Sequence, residues 1–317
     1  MKCKLLSTLL FFLCCNAFSQ DKRVFLDSLH YETSGADYKY VRIVKGYYES
    51  KKIYLFSDYY KSGAIEMTGT SKSKDRLSYD GQFVYYYENG NKKESVYYGE
   101  HSRTGAYAMW YENGNPKLEG EYLPVVNIPN TEKKQPDLKI LEYWDNDNIH
   151  KVTLGNGDYE ETTIDEFSSG KIKDGFKDGI WTGCSDTFNY TYSEIYENQK
   201  LVSGVSIDLN QVEHLYTIAD IRADTPKGID DFRWHIAKNF QMPEDEDFKG
   251  GTILGSFEIG IDGDVTDFRI LREIGYGTGK EMIKAFRSYA GKWRPRELRG
   301  IKVKSTFRMP INLQSAR

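Results

Sequence analysis

The sequence predicts two fold classes in one chain: an all-β array of antiparallel hairpin repeats making an elongated sheet, then a small α+β module. Three observations carry this. Tyr87-Glu88-Asn89-Gly90-Asn91 recurs as Tyr111-Glu112-Asn113-Gly114-Asn115, a period of 24 residues. Aromatic content is 15%, with 25 Tyr against 5 Trp, and Tyr suits strands with one wet and one packed face. From about Asp230 the apolar spacing becomes helical, then alternates, then becomes helical again. At 317 residues the chain is long enough for both parts.

Residues Met1 to Ser19 read as a secretory leader. Lys2 and Lys4 give the charged start and Leu5 to Cys15 the apolar region, and Ala17-Phe18-Ser19 places cleavage before Gln20. The apolar run falls short of the ~20 residues that a membrane span needs. Periplasm or cell envelope is the expected location, and inner-membrane anchoring is the weaker alternative. Cys14-Cys15 lacks the small preceding residue of a lipobox. Cys3, Cys14 and Cys15 leave with the leader, so Cys184 can form no internal disulfide. In Gly183-Cys184-Ser185 it reads as a small buried residue rather than a nucleophile.

Net charge is -4, and no nucleic-acid partner is expected. The charge is uneven: Lys280 to Arg317 holds eleven Lys or Arg against Glu281 and Glu297. A solvated face is the usual meaning of such a run. A docking surface for an acidic peptide or headgroup, with peripheral membrane association, is the alternative.

Residues 20–58 hold two alternating stretches, Tyr38–Val44 and Lys52–Tyr60, expected as strands. The repeats follow over 59–216. Each Asn-Gly comes after an aromatic run, Phe83–Tyr86 or Tyr107–Trp110, that starts near Gly81 or Gly105. Asn-Gly between alternating strands predicts a type I′ hairpin turn, with φ > 0 at both central residues. Tyr60-Lys61-Ser62-Gly63 is a weaker copy. Residues 123–138, with Pro124, Pro129 and Pro136, interrupt the array as a loop. Beyond them, Tyr143–Asn148 and Gly155–Gly157 read as eroded turns, and Ser169–Gly175 and Gly179–Gly183 as resumed repeat. In Tyr196-Glu197-Asn198-Gln199, Gln199 stands where Gly belongs; it tolerates φ > 0 poorly, so another turn geometry is expected. A repeat that cannot bury its aromatic face alone implies stacked neighbours.

These residues resemble the variant MORN repeat: a Gly, aromatics, Tyr-x-Asn-Gly, then a Gly six further on, as from Gly63 to Gly69 and Gly114 to Gly120. The resemblance implies a sheet-forming fold rather than a particular activity.

Catalytic and metal patterns are lacking. Asp262-Gly263-Asp264 misses the ligand spacing and closing Glu of a calcium loop, and reads as a hairpin turn. Gly275–Lys280 resembles a phosphate loop, but Glu281 stands where Ser or Thr would bind metal; a Gly-rich connection capped by Thr278 is expected. His30, His101, His150, His214 and His235 are not at metal-ligand spacing from one another or from Cys184. No catalytic residue, cofactor or metal is expected, and the chain reads as a non-enzyme.

After a linker at 217–229, the module at 230–317 begins with a helix at Asp230–Phe240, where Phe232, Ile236 and Phe240 make one stripe. It ends before Pro243. Gly251–Gly260 and Val265–Leu271 form a hairpin about Asp262-Gly263. A helix with Met282, Ile283, Phe286 and Tyr289 follows, then Trp293-x-Pro295, Gly300 and a last strand from Lys302.

The order of these features resembles the TonB C-terminal domain: the Pro243 loop, Gly251 with Phe257, Asp262-Gly263-x-Val265, Ala285, Trp293-x-Pro295, Gly300, Val303 and Met309-Pro310-Ile311. The resemblance implies two helices on a three-stranded antiparallel sheet. It also implies that the final strand, with Lys302, Val303, Lys304, Ser305, Thr306, Phe307 and Arg308, takes up an extended peptide from the N-terminal segment of an outer-membrane transporter. That is β-augmentation, in which main-chain hydrogen bonds give affinity. The three cations are equally the charge guard of an edge strand. A cleavable leader and only 8 Pro favour a binding protein over an anchored energy transducer. A repeat scaffold that binds no peptide is the third expectation.

Overall fold

The computed structural model describes residues 21–34, 36–99, 102–125, 136–197 and 199–314. The expected leader, His101, Asn198 and most of the 123–138 interruption lie outside the described residues. The two-class expectation holds in outline: a sixteen-stranded antiparallel sheet in chain order, two three-stranded sheets and two helices.

The chain divides into two compact units, at Gly157 and Asp158. The first contains β1 (Lys22–Leu26), β2 (Tyr40–Val44), β3 (Tyr54–Tyr60), β4 (Ile65–Ser71) and β5 (Gly81–Tyr86). It continues with β6 (Lys92–Gly99), β7 (Ser102–Trp110), β8 (Pro116–Tyr122), β9 (Leu138–Trp144) and β10 (His150–Thr153). The aromatic runs supply its core: Phe56, Phe83 and Tyr107 are buried at equivalent places four residues ahead of the turn tyrosines Tyr60, Tyr87 and Tyr111. The Gly six residues past a turn has a packing reason. A Cβ at Gly69 would overlap the Phe83 ring of the next repeat, and one at Gly120 would collide with the Lys139 carbonyl of the next strand.

The turns differ from the type I′ expectation. Gly90 (φ 89°) and Gly114 (φ 91°) are left-handed, whereas Asn89 and Asn113 are not. Gly90 N–H donates to Tyr87 O at 2.9 Å, and Tyr87 N–H donates to Asn91 O at 2.8 Å. This is a type I turn closed by a left-handed Gly, the three-residue hairpin. Asn favours it because Oδ1 of Asn89 and of Asn113 accepts the N–H two residues on, at 2.9 Å each. The same backbone bonds close Tyr60–Ala64, Asp145–Ile149 and Gly260–Asp264. The turn at Gln199 does have another geometry, as expected, since Glu197 pairs directly with Lys200, but Gln199 itself takes φ 72°. A non-Gly residue there costs about 1–2 kcal/mol, which the eight flanking pairs of the hairpin outweigh.

Tyrosine stitches neighbouring repeats. Tyr60 Oη donates to Tyr86 O at 2.8 Å, Tyr87 Oη to Trp110 O at 2.9 Å, and Tyr111 Oη to Trp144 O at 2.8 Å. Each turn Tyr thus satisfies the carbonyl just ahead of the following turn.

The second unit takes most of β11 (Asn156–Thr162), which crosses the division, then β12 (Phe167–Lys173), β13 (Phe176–Ser185), β14 (Tyr190–Glu197), β15 (Lys200–Asp208) and β16 (Glu213–Tyr216). Then come β17 (Asp220–Ile221), α1 (Ile229–Asn239), β18 (Gly251–Ile259), β19 (Val265–Arg272) and α2 (Thr278–Arg287). The chain closes with β20 (Arg296–Leu298), β21 (Ile301–Val303) and β22 (Ser305–Leu313). The helices and the sheet β19-β18-β22 enclose an aromatic core in which Phe232 and Trp293 stand 5.1 Å apart and Phe257 and Phe286 5.2 Å apart, both edge to face. Gly263 is needed twice over. Its φ of 82° closes the hairpin, and its carbonyl accepts the Trp293 N–H at 2.9 Å where a Cβ would collide.

Two expectations are corrected. Part of the linker at 217–229 is a strand: Asp220 and Ile221 pair with Leu298 and Glu297, and Arg296 forks onto Asp220 at 2.9 and 2.8 Å. Thr278 is inside α2 rather than its cap. Gly277 caps at φ 72°, and the Glu273 carboxylate accepts the Gly279 N–H at 3.1 Å, which places negative charge at the positive end of the helix.

Candidate peptide-binding edge

The expected strand Lys302–Arg308 falls in two strands of two sheets. Lys302 and Val303 belong to β21, opposite Glu297 and Arg296. Val303 is buried against Tyr190, Tyr192 and Leu298. Lys304 is the break, and its ammonium pairs with Glu258. Ser305, Thr306, Phe307 and Arg308 open β22, the edge of the sheet β19-β18-β22.

β22 is a regular edge. It pairs with β18 over nine consecutive residues, from Ser305↔Ile259 to Leu313↔Gly251, with no shift of register. Phe307, Met309 and Ile311 pack on the module core, while Thr306, Arg308, Pro310 and Asn312 are exposed. Pro310 fixes which backbone groups face outward. It has no N–H, yet the ladder passes through Leu254↔Pro310 unbroken, so its nitrogen lies on the side away from β18. Backbone groups alternate along a strand, so Thr306, Arg308 and Asn312 turn their N–H and C=O to that same open side. Three donors and four acceptors are therefore presented there, with one donor missing at Pro310.

The opposite edge, β19, is built differently. Its pairing with β18 shifts twice, Asp267 sits at φ 52°, and Arg269 closes on Asp267. Bulges and a self-paired charge blunt an edge against strand addition. Within one sheet, β22 is open and β19 is guarded.

A second site was not signalled by the sequence. Arg299, at φ 48° in the β20–β21 hairpin, is buried against the face of β14. Its Nε donates to Glu194 at 3.0 Å and its Nη1 to Glu166 at 2.5 Å, and the guanidinium lies 3.6 Å from the Tyr192 ring centroid. Glu194 also accepts the Tyr196 and Tyr216 hydroxyls, each at 3.0 Å. Ser206 Oγ donates to Arg299 O at 2.7 Å, and Arg299 N–H to Ala219 O at 2.7 Å. Burial works against the guanidinium charge, but Glu194, Tyr192 and Glu166 outweigh it and hold the pKa above its usual value. Burial pushes the Tyr192 hydroxyl up to about 12 and raises Tyr190 and Tyr216 as well, which keeps the phenols neutral around Arg299. A lone Arg after a Leu offers no spacing that marks such a contact.

The histidines hold one grouping that spacing alone did not show. His30, Asp58 and Glu66 bring ligand atoms within 4.8 Å of one another. Arg42 already forks onto both Asp58 oxygens at 2.7 and 2.6 Å, and His30 Nε2 lies 3.6 Å from Glu66. The arrangement works as a charge network in which Arg42 neutralises the buried acid. Cys184, expected to be buried, is half-buried on β13. Among the described residues, no helix is long and apolar enough to cross a membrane. No protein-family model matches the chain, and no curated protein sequence matches it.

Proposed function

We propose that this chain is a non-enzymatic cell-envelope protein whose C-terminal module binds an extended segment of an envelope partner by adding it to β22. The observation that supports this most is the nine-pair, unshifted edge with its outward N–H and C=O groups, beside a sister edge that is blunted. The resemblance to the TonB C-terminal domain supports the N-terminal segment of an outer-membrane transporter as the source of the strand. The repeat sheet serves as a spacer and second interaction surface.

A photo-crosslinking residue placed at Thr306, with a second placed at Asp267 on the guarded edge, tests the reading. The expected adduct joins the Thr306 position to a transporter's N-terminal segment and is missing from the Asp267 position. Arg308→Pro, which removes a second outward donor without touching the β18 ladder, should abolish the adduct. Equal labelling from both edges, or none from Thr306, would overturn the proposal. A second reading, a repeat scaffold that binds no peptide, draws support from the Arg299 clamp, which ties the module to the sheet.

A further inference from the structure

A half-open cleft lies beside the core of the C-terminal module. A cavity of about 240 Å³ opens beside α2, floored by Phe257, Phe286 and Trp293 and walled by Val265 and Phe268 of β19. Protein interiors leave few voids larger than a water molecule, and an apolar cavity of ~150 Å³ already accepts benzene. This half-open cleft has room for an aromatic ring with a short tail. Phe257, Phe286 and Trp293 are only 1%, 3% and 4% exposed, so the surface open to a ring is that of the half-buried Val265, Phe268 and Tyr289. The rings of Phe268 and Tyr289 offer the offset and edge-to-face contacts that aromatic groups prefer.

One charge borders this space. Arg287, the exposed last residue of α2, is the only charged side chain in the lining. Its guanidinium lies over Phe268, 5.4 Å from the ring centroid. Among the described residues it pairs with no carboxylate, whereas Lys284 is held by Glu281 at 3.4 Å and Lys292 by Asp264 at 3.3 Å. Tyr289, also in the lining, already donates its hydroxyl to Asp231 at 2.9 Å. A cation in the last turn of a helix is favourable in its own right, but that role accounts for neither the empty volume nor the free fork above it.

We propose that this cavity binds an aromatic carboxylate, the ring against Phe268 and Tyr289 and the carboxylate on the Arg287 fork. Two sources share that chemistry: a free arylalkanoate and the carboxy-terminal aromatic residue of a polypeptide. The lining contains no residue of β22, although Phe257 and Trp293 pack on its Phe307 from the core side.

Isothermal titration of the full chain tests it with 3-phenylpropanoate, the neutral 3-phenylpropanol, and two short peptides ending in Phe, one with a free carboxylate and one amidated. At least one acid is expected to bind saturably with Kd at or below about 1 mM, and its neutral analogue at least roughly tenfold more weakly. Arg287→Gln should erase that difference. Val265→Phe, which fills the cavity, should abolish binding altogether, and Phe268→Trp repeats the test should the first variant fail to fold. A free-acid peptide that binds tighter than 3-phenylpropanoate assigns the site to a polypeptide terminus; any other order assigns it to the free acid. The proposal is overturned if neither acid binds, if acid and neutral analogue bind equally, or if a folded cavity-filled variant binds undiminished.

Discussion

Asp58 and Glu194 stand two residues ahead of a turn aromatic, Tyr60 and Tyr196, and are 0% and 1% exposed. Each would be prohibitively costly without a cation. Asp58 takes its cation from the adjacent strand: Arg42 is its cross-strand partner, and the pair is complete once β2 meets β3. Glu194 takes its cation from Arg299, which lies beyond the linker, both helices and the β18–β19 hairpin in the chain. The same chemical problem is solved locally in one unit and by tertiary docking in the other. Only in the second does the sheet's stability depend on where the C-terminal module sits.

The largest expected effect follows from that dependence. Arg299→Ala leaves Glu194 buried without its cation and should cost about 3–5 kcal/mol in the second unit, read by urea unfolding. Amide exchange should show loss of protection at 296–303 and along β14 together. If the hairpin keeps its protection, Arg299 is not the clamp. Arg42→Ala should fall near the lower end of that range, about 3 kcal/mol, because the loss is confined to a strand pair. Its exchange signature should stay in β2 and β3 and leave β14 untouched.

The comparison sharpens at high pH. Arg42 lies over Phe56, which does not titrate, whereas Arg299 lies over Tyr192. Burial raises the Tyr192 hydroxyl from 10.0 to about 12, so the neutral phenol is the form that folding favours. Its stabilising contribution is complete below the unfolded value of 10.0 and is lost as pH rises through about 12. Tyr192→Phe should flatten that loss in an alkaline titration of unfolding, and an unchanged slope would count against the assignment. The smallest expected effect belongs to the inter-repeat stitch. Tyr87→Phe removes one hydroxyl bond to Trp110 O and should cost about 1 kcal/mol, measurable as a small fall in the urea midpoint of the first unit.

The legible parts of this molecule are those whose cause is local. Tyr-x-Asn-Gly marked its hairpins because a left-handed Gly leaves a direct trace in sequence, although the Asn conformation did not follow from the dipeptide. At Gln199 the change of turn was legible, but its positive φ was not, because propensity at one residue says nothing of the ladder that overrides it. The stripe of Phe232 and Ile236 was readable from helical spacing, and both residues are buried. The outer half of the edge, Ser305 to Arg308, was readable as a strand, but the break at Lys304 was not, because it is set by the partner sheet that claims Lys302 and Val303. Arg299 with Glu194 and Glu166 is the extreme case. The contact joins residues more than a hundred positions apart, and nothing periodic links them.

The tyrosine stitch carries a consequence for how such an array grows. Successive turns start at residues 60, 87, 111 and 145, at unequal intervals, yet every hydroxyl finds the carbonyl just ahead of the next turn. Alignment is therefore repeated in one form at the turn end of each hairpin, while the connections at the other end differ in length and in their bonds. Segments can be inserted or lost at that other end without disturbing the seam, and the longest interval is the one that contains residues 126–135. The array behaves like pages bound along one margin, whose outer edges need not be trimmed to the same width.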